Sequence, residues 1–247
     1  MIDLHAHPLP AVDDGPATVE AARELLAAAA AAGVTTVAAT PHVSERYPTT
    51  AETMFAGVTA LEAATRDLSI GLAPGGEVAL SFAGQLSDDD LRAFTLGNTG
   101  RYLLVELPPP GWGLGIELAL SRLKGLGIRP LIAHPERHPL IQQRPERLRP
   151  LLEDGALLQV TAGSVSGRST GSRSAVTARG LVRRGFVQVV ASDAHGFERD
   201  GQKPWSVDFP DHTVERLCVV NPNAILQGDE IDTRPRRVGL LQRLRRN

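Results

Sequence analysis

A single cysteine, Cys218, and two lysines, Lys124 and Lys203, are all that the 247 residues contain of those types. One thiol excludes an internal disulfide and any cysteine-rich zinc knuckle, so a metal site here has only imidazoles and carboxylates to draw on. The shortage of lysine stands against 24 arginines and accompanies Ala-rich stretches, which reads as base composition rather than function. Aromatic residues are 4% of the chain, and no apolar run nears the roughly 20 residues a membrane-spanning helix needs. The first residues lack the basic-then-apolar layout of a signal peptide, and the expectation is a cytoplasmic location with no integral membrane segment.

What is present is 42% hydrophobic side chains at a formal net charge of −2, enough for one large core. Short β-type runs alternate with helical patterns. Strands are expected at 2–5, 34–40, 70–77, 102–107, 130–134, 157–161 and 187–192. Helices are expected at 17–32, 51–68, 87–94, 116–126, 145–153 and 174–184, three of them closed by Gly33, Gly127 and Gly185. This alternation implies parallel strands joined by crossovers. The expected architecture is an α/β fold, a seven-stranded (β/α) barrel over residues 1–233, with a doubly wound open sheet as the alternative.

In such barrels functional side chains gather at the C-terminal ends of the strands. There the sequence places His5 and His7 with Asp14 in "AVDDG", His42 in "TPH", Glu77 in "GGEV", Glu106 in "VELP", His134 in "AHPER", and Asp193 and His195 in "SDAH". Any one of these alone is more simply a hydrogen-bonded or solvated residue. Six of seven strands sending a metal-type ligand to one rim is a different matter. Residues two apart on a strand share a face, so His5 can act with His7 and Asp193 with His195. Five imidazoles and four carboxylates suit Mn²⁺, Fe²⁺ or Zn²⁺, and nine donors exceed the needs of one ion, so two or three are expected.

In this order, "DLHAHPLPAVDDG", "TPH", "GGEV", "VELP", "AHPER" and "SDAH" resemble the polymerase and histidinol phosphatase (PHP) superfamily. That resemblance implies a distorted seven-stranded barrel with a trinuclear metal site. "VDDG", "ALLQVTAGSVSG" and "NPNAIL" are similar to its CpsB-like branch, the metal-dependent protein-tyrosine phosphatases that accompany bacterial capsule and exopolysaccharide tyrosine kinases. The likeness runs from Met1 to about Leu226. It implies His5, His7, Glu77 and Asp193 around one ion. Glu77 bridges to a second held by Glu106 and His134, and Asp14, His42 and His195 hold a third, with manganese the first choice. It also implies Arg137 as a phosphate ligand and a second basic ligand after "SDAH", for which Arg199 is the candidate and Lys203 the substitute. The implied partner is the phosphotyrosine-bearing tail of a membrane-associated kinase, with no nucleic acid.

Rival readings meet the residues directly. A cysteine-dependent phosphatase needs an Arg six residues beyond its Cys, where this chain has Ala224. A polymerase-associated exonuclease would bring a basic nucleic-acid face, which is missing here. An amidohydrolase would carry a metal-bridging Lys, and neither lysine ends an expected strand. Histidinol phosphate hydrolysis shares the metal ligands and stands as the alternative, as does a barrel that only senses a phosphorylated partner. His138 and His212 are read as structural or exposed, and Cys218 as core. Trp112 and the "PPP" turn are read as a pocket wall or a rigid turn. The last stretch, 234–247, holds six Arg and no acid, leaving residues 1–233 at −8. It reads as a solvated end or as a basic segment meeting anionic lipid or an acidic partner.

Overall fold

The computed structural model describes residues 1–108, 113–166, 172–196, 205, 207 and 211–233. Among the described residues nine parallel-paired strands are present: β1 (Ile2–Ala6), β2 (Thr36–Ala39), β3 (His42–Val43), β4 (Gly71–Pro74), β5 (Glu77–Ala79), β6 (Tyr102–Glu106), β7 (Arg129–Ile132), β8 (Leu157–Thr161) and β9 (Val189–Ala191). They form two sheets, ordered β1-β2-β4 and β3-β5-β6-β7-β8-β9. A parallel bridge from Ala6 to Ala194 links β1 to the chain just beyond β9. The helices are α1 (Val19–Ala31), α2 (Ala51–Ala64), α3 (Asp88–Ala93), α4 (Leu114–Gly125), α5 (Pro139–Gln143), α6 (Arg149–Glu153), α7 (Ala162–Val165), α8 (Ser172–Arg183), α9 (Asp211–Glu215) and α10 (Asn221–Gln227).

The strand count departs from the seven continuous strands expected. Two of these, 34–40 and 70–77, are each divided. Pro41 has no N–H to donate and separates β2 from β3. At Gly75–Gly76 the chain passes so close to its neighbours that a Cβ on Gly76 would lie 2.7 Å from the Phe94 ring. The Gly76 amide turns aside to bond the Phe94 carbonyl at 3.0 Å. In consequence His42 and Glu77 open strands instead of closing them, and they stand side by side in the β3–β5 register.

Side-chain alternation divides the interior of the strands from their helical cover. Leu104, Leu131, Leu157, Val189 and Ala191 pack together with Tyr102, while Leu103, Val105, Ile132, Leu158 and Val190 pack under the helices. Ile225 of α10 and Ile231 join the inner cluster, and Tyr102 donates its hydroxyl to the Asp229 carbonyl at 2.7 Å. The "NPNAIL" stretch thus plugs one end of the strands with apolar side chains. The polar rim lies at the other end.

Candidate metal centre

All nine predicted ligands converge on that rim. His5, His7, Glu77, His134, Asp193 and His195 are buried; Asp14, His42 and Glu106 are partly exposed. Their donor atoms fall into four overlapping groups: His5–His7–Asp193, His5–Glu77–His134, His42–Glu77–Glu106 and His7–Asp14–His42–His195, each within 4.8 Å. Glu77 touches four imidazoles: His5 at 3.4 Å, His7 at 3.5 Å, His42 at 2.8 Å and His134 at 2.9 Å. Yet its buried Oε2 makes no hydrogen bond. The His5 and His7 Nε2 atoms face one another at 3.2 Å. A buried carboxylate oxygen without a donor, among ring nitrogens aimed at a common point, fits divalent cations of the Mn, Fe or Zn type.

The electrostatics agree. Burial alone would lower the His7 pKa, but hydrogen bonds to Asp13 and Asp193 and the Glu77 charge push it up to about 10. Burial is likewise overcome at His134, raised to about 9 by Glu77. The Glu77 and Asp193 carboxyls are held well below the usual range: burial opposes this, and the neighbouring imidazoles outweigh it. So many acceptors in one place demand positive charge, and without metal ions protons supply it. Cation binding therefore displaces protons.

Backbone strain marks two of the candidate ligands. His134 (φ 31°) and Asp193 (φ 56°) occupy the left-handed region, uncommon for residues other than glycine. Asp193 is fixed there by its amide bonding the His5 carbonyl at 2.7 Å.

Sequence reasoning missed the residues that orient these ligands. Asp13 accepts from His7 Nδ1 at 2.7 Å and from the His42 amide at 2.9 Å. Gly15 beside it has no room for a side chain, since a Cβ would lie 2.2 Å from the His7 carbonyl oxygen. Asp3, fully buried, accepts from the Ser192 amide and hydroxyl, the Trp205 indole and the His5 amide, which binds the end of β9 to β1. Gln159 Oε1 accepts from the His134 amide and faces His5 Nδ1, both at 3.1 Å. An amide N–H can only donate, so that atom of Gln159 is the oxygen. His5 Nδ1 must then carry the proton, leaving Nε2 free to ligate. The signals were present: an acid immediately before the "DG" of Asp14–Gly15 and a lone Gln in an apolar strand.

Other predicted residues are placed as follows. Arg137 stands on the rim with a half-exposed side chain, its Nη1 2.6 Å from Asp193 Oδ2. Arg199, Lys203, Trp112 and the segment 234–247 lie outside the described residues. Lys124, on α4, pairs with Asp154 at the end of α6, away from the cluster. His138 is buried and caps α5, and His212 is exposed. Cys218 is buried, its thiol pushed up to about 12 by burial and the Asp3 charge.

A family model described as capsular polysaccharide synthesis, CpsB/CapC, matches residues 1–227. The chain belongs to the CpsB/CapC family. It is 34% identical over 200 residues to the tyrosine-protein phosphatase YwqE of Bacillus subtilis, covering 79% of this chain and 77% of that protein. It is 30% identical over 241 residues to the tyrosine-protein phosphatase CpsB of Streptococcus pneumoniae, covering 92% and 98%. A crystal structure from work on YwqE and CpsB, described as unique metal-dependent tyrosine phosphatases, superposes with a TM-score of 0.82 at 30% identity over 94% of this chain and 96% of that one.

Removing the Gln159 acceptor should loosen the site without touching a ligand. Gln159→Leu is expected to weaken Mn²⁺ binding by about 10–100-fold in titration calorimetry, while Gln159→Glu, which keeps the acceptor, stays closer to wild type. Equal affinity in all three proteins would show that Gln159 does not orient His5.

Proposed function

We propose that this chain is a metal-dependent phosphatase that removes phosphate from tyrosine in the tail of a membrane-associated tyrosine kinase serving capsule or exopolysaccharide synthesis. The observation that carries this reading is the convergence of nine imidazole and carboxylate ligands beneath Arg137, in a chain whose single thiol is buried and held protonated. Membership of the CpsB/CapC family and the phosphatase names of its relatives support it. The nine strand segments are read as seven staves of a distorted barrel, β2 with β3 and β4 with β5 each being one interrupted stave, in a single domain over residues 1–233. Location in the cytoplasm, beside the kinase, follows from the same reading.

Two or three divalent ions are proposed, manganese first and iron or zinc also suited. His5, His7, Glu77 and Asp193 would hold one, Glu77, Glu106 and His134 a second, and Asp14, His42 and His195 the third. Bound there, the ions would acidify water for attack at neutral pH and offset the charge of a phosphate ester. The chain's own groups do the rest. Asp13 and Gln159 keep His7 and His5 in the tautomers that present Nε2. The Arg137 guanidinium, held against Asp193, offers its remaining N–H groups to phosphate oxygens and fixes the ester relative to the ligands. Arg199, or Lys203 in its place, is proposed as the second phosphate contact. A phenolate leaving group, with a reference pKa of about 10, departs more readily than an alkoxide, so no dedicated acid is required for tyrosine phosphate.

The test is turnover of a phosphotyrosine peptide against histidinol phosphate at equal subsaturating concentration. The peptide should be the faster substrate, and its turnover should disappear with chelator. A marked preference for histidinol phosphate would move the chain to the small-molecule branch. Arg137→Ala should raise KM several-fold and lower kcat for aryl phosphate; unchanged values of both would remove Arg137 from the site. The Arg-rich segment 234–247 is proposed to meet anionic lipid or an acidic partner. Its deletion should leave aryl phosphate turnover intact and weaken cosedimentation with anionic vesicles; unaltered cosedimentation would end that idea.

A further inference from the structure

The chain leaves His42 through a tight turn. Ser44 and Tyr47 bond each other's backbone and side chain, from Ser44 N to Tyr47 O at 2.9 Å and from Tyr47 N to Ser44 Oγ at 3.2 Å, and Val43 bridges Pro48. This turn folds the Tyr47 ring back onto the His42 ring, nearly parallel at 12° with centroids 5.5 Å apart. Arg46 in turn lies over Tyr47, its Cζ 5.1 Å from the ring centroid. Tyr47 is partly exposed and Arg46 fully so. Among the described residues no ion pair holds Arg46.

The stack has a chemical consequence. A guanidinium lying on an aromatic face keeps its in-plane N–H groups free for a carboxylate, and its position is fixed by the ring beneath it. Here that ring rests on a proposed metal ligand, so the cation sits at a set offset from the candidate metal centre. Extended peptide advances about 3.4 Å per residue, so a side chain one or two residues from the phosphotyrosine comes within reach of such an offset. Residues 1–233 carry −8 overall, which disfavours acidic peptides unless a local cation receives them. Arg137 pairs with Asp193 and is the residue proposed for the phosphate itself, whereas Arg46 sits at the flank with its in-plane N–H groups outward.

We propose that Arg46, seated on Tyr47, forms a subsite for an acidic side chain next to the phosphotyrosine of a peptide substrate. The inference rests on the phosphotyrosine phosphatase reading and extends it from the phosphate to its sequence context.

The experiment compares two phosphotyrosine peptides, one with Glu and one with Gln at the flanking positions, and free phosphotyrosine, using the metal-loaded full chain and its Arg46→Gln and Arg46→Glu variants. Wild type should favour the Glu peptide by about two- to fivefold in KM, the range of a solvent-exposed charge pair, with the preference fading at high salt. Arg46→Gln should abolish the preference and Arg46→Glu should reverse it, while free phosphotyrosine keeps its kcat and KM in both. A preference that survives in Arg46→Gln, or none in wild type while free phosphotyrosine is hydrolysed, overturns the subsite alone. Failure of wild type to hydrolyse any phosphotyrosine substrate overturns the phosphatase reading, and the subsite with it.

Discussion

Glu77 occupies the point where the fold's geometry and the site's chemistry meet. Four imidazoles surround one carboxylate that water does not reach, and they come from three parts of the chain: His5 and His7 from β1 and the residue after it, His42 from β3, His134 from the turn after β7. Such a group is tolerable only if positive charge is close at hand, because an isolated buried carboxylate is strongly disfavoured. The neighbouring strands therefore cannot shift independently. Glu77 pairs in register with His42 on one side and Leu104 on the other, so a slip of either strand would separate the carboxylate from its partners.

The same constraint explains why the strands are broken where they are. A continuous strand through 70–77 would carry the chain straight on and close at Glu77. The Gly75–Gly76 passage, packed against Leu96, Thr40 and Phe94, shifts the second half into the other sheet, next to His42. Beneath the candidate ligands lies an apolar layer that includes Leu104, Leu131 and Leu157 and takes in Ile225 and Ile231, while Glu106, Asp14 and Arg137 at the rim reach solvent. Apolar packing on one side and charge on the other give the interior a direction.

How much of this was legible from residues alone depends on how local each signal is. The convergence of the candidate ligands was legible because each falls in a short motif at a strand terminus, and period-2 alternation sets which neighbours cooperate. Element positions were legible too: α1, α2 and α3 lie within the stretches marked by their caps and apolar spacing, and β8 matches residue for residue. The strand breaks were not, although a Pro and a Gly pair stood at them, because whether such residues end a strand or only bend it is decided by what packs against them. Asp3, Asp13 and Gln159 escaped for a related reason. Their roles consist of bonds across as many as 189 residues of sequence, as from Asp3 to Ser192, and composition near each gives no hint of its partner.

The two oxygens of Asp193 show how little freedom the finished arrangement has. Oδ1 faces His5 at 3.2 Å and His7 at 3.5 Å, and Oδ2 faces Arg137 at 2.6 Å. One carboxylate thus belongs both to the ligand group and to the arginine proposed to meet phosphate. Its left-handed backbone and its amide bond to His5 set the direction in which the side chain leaves the chain. The Arg137 guanidinium is thus aligned with the candidate ligand set by a group the two share, and half of its side chain remains open to solvent. Pre-organisation of this kind lowers the cost of ordering a long side chain at the moment of binding, and it derives from the strain at position 193 as much as from the arginine itself.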